Sequence, residues 1–184
     1  LVSDWSSDVC SSDLIQLGGS NATLLAHLGE ALLSKAAQKE ASASFKNALK
    51  IEPDCWQARL GFAKVRQMRN KRTEALQVAQ ELLEKQGEHH EVHLFLGSLH
   101  FDEKDFVSAI DRFTDAIKNC RNRFETASCL YRRGSAHLEN EQIPEAIDDF
   151  DKALKLRPFH VGTLVWRGYA NAKQGRWANA ISDL

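Results

Sequence analysis

A chain of 184 residues, 43% hydrophobic and 27% charged, is long enough to bury a sizeable core as one domain. Its net charge of −1 supplies no long-range field to recruit nucleic acid or an acidic membrane surface. Only ten glycines, three prolines and no sustained two-residue alternation argue against strands, and no apolar run reaches membrane-spanning length.

Residues 1–14 stand apart from the rest. Asp4 to Leu14 reads DWSSDVCSSDL, a serine-rich stretch with no helical or strand period that resembles a one-frame translation of a sequencing adapter. We expect it to be disordered and non-native, so Trp5 and Cys10 carry no functional weight. Without Asp4, Asp8 and Asp13 the charge balance turns slightly positive. Residues 15–21 serve as a lead-in.

From Ala22 onward the chain repeats itself. A unit starting there places Gly29, Ala41, Phe45, Ala48 and Pro53 at fixed intervals. A unit from Trp56 gives Ala63, Ala75, Ala79, Leu82 and Gly87 at the matching places. One from His90 gives Gly97, Ala109, Phe113 and Ala116, followed by three extra residues around Asn122–Glu125. The unit from Ala127 is the clearest. Leu130, Gly134, His137 and Leu138 recur at helical spacing, as do Ala146, Phe150, Ala153 and Leu154, with a break at Asn140–Ile143. Pro144 suits the start of the second helix, and Pro158 biases Arg157 away from the α region, ending it. A last unit from Val161 supplies Gly168 and Ala180 and stops at Leu184, midway through a second helix. We expect this to be a piece of a longer array, leaving Trp166, Tyr169, Trp177 and Ile181 without the next partner. The mid-helix glycines cost about 1 kcal/mol each relative to alanine, a cost that close approach of another helix can offset. Phe45, Phe113 and Phe150 are expected to pack into the neighbouring hairpin.

This pattern resembles the tetratricopeptide repeat, a 34-residue helix–turn–helix with small residues at fixed places. The resemblance spans 22–184, in repeats 22–55, 56–89, 90–126, 127–160 and a truncated 161–184. It departs from the family where a large residue is usual at the fourth position, occupied here by Leu25, Arg59, His93, Leu130 and Leu164. The resemblance implies an all-α fold: about nine helices in antiparallel pairs, stacked as a right-handed superhelical solenoid with a concave groove. In that family the first helix of each pair lines the groove. Carried over residue by residue, the groove holds Lys64, Met68, Phe95, Phe101, Tyr131, Arg132, Trp166 and Tyr169. Aromatics beside an arginine are what binding hot spots favour, and Arg132 is the best single candidate because its position turns a charge inward. Family members that clamp the carboxylate terminus of heat-shock chaperones need a set of Lys, Asn and Arg. The best-matching register here offers Leu60, Lys64, Phe95, Ser128 and Arg132, one match in five, which argues against chaperone tails as partners.

Reactive chemistry finds no anchor. There is no GxSxG, GxGxxG or GxxxxGK, so no cofactor or catalytic residue is expected. His89, His90 and His93, with Glu88, Glu91 and His100 nearby, read HHEVH rather than HExxH, so no metal is assigned. Asp148, Asp149 and Asp151 read as a solvated helix face. The run Lys64, Arg66, Arg69, Lys71, Arg72 suits a helix C-terminus, with an RNA or acidic-peptide contact as the alternative. Cys55, Cys120 and Cys129, odd in number and without close pairs, suggest a reducing compartment and hence the cytoplasm. The expected function is a non-catalytic scaffold or adaptor, with no membrane contact, that holds a partner's peptide or helix in the groove. Its alternatives are an RNA-binding helical repeat, or the substrate-recruiting array of a larger enzyme.

Overall fold

The computed structural model describes residues 21–86 and 89–183. The adapter-like segment 1–14, the lead-in up to residue 20, and the calls on Gly87, Glu88 and Leu184 lie outside the described residues. Those described form ten α-helices and no strand. They run α1 Asn21–Ser34, α2 Gln38–Ile51, α3 Trp56–Met68, α4 Arg72–Gln86, α5 His90–Asp102, α6 Phe106–Lys118, α7 Arg123–Glu139, α8 Ile143–Leu156, α9 Val161–Lys173 and α10 Trp177–Asp183. They divide into two compact units, α1–α4 and α5–α10. Within each unit consecutive helices pack in pairs, and each pair packs on the next where one follows.

The turns keep a strict register. The turn residues Ala36, Asn70, Lys104, Glu141 and Gly175 all take a positive φ, between 59° and 73°. They fall 34 residues apart, except for 37 between Lys104 and Glu141, where the chain carries its extra residues. Only Asn70 and Gly175 are residues at ease in that region. Ala36, Lys104 and Glu141 are held there by the helices on either side. The extra residues end in a strong cap: Asn122 Oδ1 accepts from the N–H groups of Phe124 and Glu125, each at 3.0 Å, and Glu125 accepts from the Arg121 N–H at 2.7 Å.

The glycines are explained by rings rather than by helix backbones. A Cβ added to Gly97 would lie 2.5 Å from the Phe113 ring, and one at Gly134 would lie 2.8 Å from the Phe150 ring. Each phenylalanine therefore fills the notch in its own hairpin, a role added to the expected packing on the neighbouring one. They reach that neighbour as well: Phe113 clusters with Ala136, and Phe150 with Ala170. Phe45 does both at once, held between Gly29 and Gly61 of successive hairpins, with Phe62 tilted against it at 5.8 Å. Alanines complete the contact, with Ala41, Ala48, Ala75, Ala109 and Ala146 fully covered.

The acidic cluster on α8 is a solvated face only in part, and Asp149 is the exception. Asp149 is 2% exposed and takes a bidentate pair from Arg133, with N–O distances of 2.7 Å. Arg133 also donates to Thr114 Oγ1 at 3.1 Å, joining α6, α7 and α8. Arg167 repeats the arrangement one hairpin later, donating to Asp183 and Asp151. Asp148, paired with Lys152, lies in the open, and the Asp151 side chain remains 46% exposed.

Candidate functional site

The first helices α5, α7 and α9 of the second unit turn a common face outward, and a pocket of about 250 Å³ opens on it. Phe101 from α5, Tyr131 and Arg132 from α7, and Trp166 from α9 line it together. Tyr131 is fixed by packing at its back, 6.4 Å from Phe150 and 5.3 Å from His160. Phe101 stacks edge-on against Phe106 at 5.4 Å, and Trp166 against Tyr169 at 6.1 Å. Ser98, Asp102 and Ser135 fill the polar part of the lining, and Phe113 forms part of the wall. Ser135 spends its hydroxyl proton on the Tyr131 carbonyl at 2.9 Å.

Arg132 is exposed and donates to Ser98 Oγ at 3.3 Å. Among the described residues it has no carboxylate within ion-pair distance, unlike Arg133 beside it. A guanidinium with donors to spare, flanked by rings, can take a carboxylate while apolar side chains settle on Phe101 and Trp166. Asp102 on the α5 side gives the pocket one opposing charge.

The remaining groove residues fall elsewhere. Phe95, 6% exposed, belongs to the core and offers no surface for a partner. Tyr169 stands outside the pocket, 48% exposed, with the Lys173 ammonium 5.2 Å from its ring centre. Lys64, in the first unit, is drawn to Glu30 one repeat away, with Nζ 2.9 Å from both carboxylate oxygens. Met68 is exposed on the same helix. The basic run around Lys64 is partly paired, with Arg66 and Lys71 sharing the single carboxylate of Glu74. Sequence reasoning passed over Ser98, Asp102 and Ser135, although they occupy groove positions of the repeat. Small polar residues carry no compositional signal of their own.

Among the described residues no group of three or more His, Cys, Asp or Glu converges as a metal site would need. His90 is buried with Nδ1 3.0 Å from Glu91, and His100 Nδ1 lies 3.4 Å from Asp105. Two cysteines nine residues apart in sequence come together in space as free thiols. Cys120, ending the α6 turn, and Cys129 on α7 bring their sulfurs to 3.3 Å. Both are thiols, and burial pushes Cys120 up and Cys129 far up, so they stay protonated at neutral pH. No described helix is long and apolar enough to cross a membrane.

Two tetratricopeptide-repeat family models match the chain, one over residues 22–55 and the other over 60–123 and 131–184. The DnaJ homolog subfamily C member 7 homolog of Schizosaccharomyces pombe is 23% identical over 173 residues, 94% of this chain. The chain spans only 32% of that relative's length. Among solved structures, Pseudomonas aeruginosa pilF superimposes with a TM-score of 0.79 at 18% identity, covering 88% of this chain and 72% of that one. The Cut9–Hcn1 hetero-tetramer of the APC/C gives 0.75 at 20% identity, over 94% and 34%. At such identities these structures establish the fold.

Proposed function

The chain belongs to the tetratricopeptide-repeat family, and on that premise we propose that it is a non-catalytic scaffold holding a partner protein's peptide or helix on the face of α5, α7 and α9. Proteins of this family are typically platforms for protein interaction. The observation that carries the reading is the convergence of Phe101, Tyr131, Arg132 and Trp166 on one pocket, with Arg132 unmatched by a carboxylate among the described residues. Apolar burial against the three rings would supply affinity, and an acidic group on Arg132 would set orientation. A net charge of −1 supplies no long-range field to recruit RNA, which favours a protein partner. A cytoplasmic, reducing setting belongs to the same proposal, in keeping with the adjacent free thiols of Cys120 and Cys129.

Arg132→Glu provides the test, because the side chain is exposed and only Ser98 would lose a contact. Recovery of partner in a pulldown should fall on the order of tenfold or more while the melting temperature stays put. Undiminished recovery would remove this face from the account.

A further inference from the structure

Two arginines and two exposed phenylalanines frame a second hollow, of about 570 Å³, where the start of α7 meets the turn between α8 and α9. Phe159 is 91% exposed, Val161 70% and Phe124 55%, which is unusual for side chains that could have turned inward. The Arg123 guanidinium lies 4.9 Å from the Phe124 ring centre, and that of Arg157 lies 5.9 Å away. Among the described residues neither arginine has a carboxylate within ion-pair distance, and no acidic residue lines the hollow. Elsewhere in the same unit, Arg133 and Arg167 are each matched to aspartates. His160 adds no charge: its Nδ1 accepts from the Thr163 N–H at 3.2 Å, and burial and then Arg157 push its pKa down.

We propose that this hollow is a second docking surface, for a segment of a partner protein that carries an acidic side chain next to a bulky apolar one. The carboxylate would lie between Arg123 and Arg157, and the apolar side chain on Phe159 and Val161. Charge complementarity sets this occupant. Adsorption to an anionic bilayer draws on clusters of roughly four to eight basic residues. Nucleic-acid grooves need cations along a run of phosphates. Two arginines in a chain of net charge −1 meet neither demand. The surface adjoins the pocket through the Tyr131–His160 contact but shares no lining residue with it.

A displayed library of short random peptides, panned on the full chain with counter-selection on the Arg157→Glu, Phe159→Ser double variant, tests this. Selected peptides should pair an acidic with a large apolar residue. Their affinity, by fluorescence anisotropy, should drop on the order of tenfold in the double variant and hold in Arg132→Glu, which separates this surface from the pocket. The circular dichroism of the double variant should match wild type, because Phe159 has so little to lose on folding. A selection that yields no peptide sensitive to the double variant overturns the proposal. So does a double variant that instead loses binding to phosphatidylserine vesicles or to oligouridine, which would assign the hollow to lipid or RNA.

Discussion

Replacing Phe45 with alanine should destabilise the hairpins of α1–α4 by about 3–5 kcal/mol. The ring is fully buried. It is also bounded by two glycines, which have no side chain to move into the space it leaves: a Cβ on either Gly29 or Gly61 would come within 2.3 Å of it. Phe62, tilted against the ring, is the neighbour placed to shift toward the gap, so the cost falls within the usual range for large-to-small aromatic changes. Native-state hydrogen exchange is the suitable readout, since stability in a repeat array is held locally. Amides of α1–α3 should exchange faster by on the order of a hundredfold or more. The reciprocal change gives a sharper check. Gly61→Ala alone should cost about 1–3 kcal/mol through overpacking. In the Phe45→Ala background it should become neutral or helpful, as alanine is favoured in helices by about 1 kcal/mol. Additive effects would mean that ring and glycine do not share one space.

The second large effect lies at the Arg133–Asp149 pair. Arg133→Met should lower stability by about 3–5 kcal/mol, because it strands a carboxylate that is 2% exposed. Thr114 loses its donor at the same stroke. Urea denaturation should register the loss as a lower midpoint with little change in slope. Adding Asp149→Leu to Arg133→Met should recover most of it, since an apolar pair of similar volume removes the buried charge altogether. If the single substitution moves the midpoint no more than a surface change does, the pair is not the fastener that links α6, α7 and α8.

The sequence makes the hairpins legible because their determinants are local. Gly134, Ala146, Phe150 and Pro158 sit at intervals that a helical period and a turn can explain without distant contacts. The packing of Phe45 against Gly61 is less legible, since Gly61 is not at the place its counterparts Gly29 and Gly97 occupy. The burial of Asp149 is hidden for a similar reason: its partner lies 16 residues away, across a turn. Arg167 and Asp183 repeat that interval, a signal that could have revealed both pairs. Cys120 and Cys129 are joined by the inserted residues, where no repeat register applies. At the candidate site, family geometry puts Phe95 and Phe101 together in the groove and does not separate them. Both are aromatic and on α5, yet one lines the pocket while the other is taken up by the core. Nor could it foresee that Glu30 would occupy Lys64.

The most direct test of the scaffold reading places a photo-activatable benzoyl-phenylalanine at position 102, where the exposed Asp102 edges the pocket and Arg132 is left in place, and in a second variant at position 107 on α6, where Val107 is 62% exposed. Irradiation with partner present should join the partner to position 102 and leave position 107 bare. Equal yields at the two positions, or a yield at 107 alone, would contradict the account.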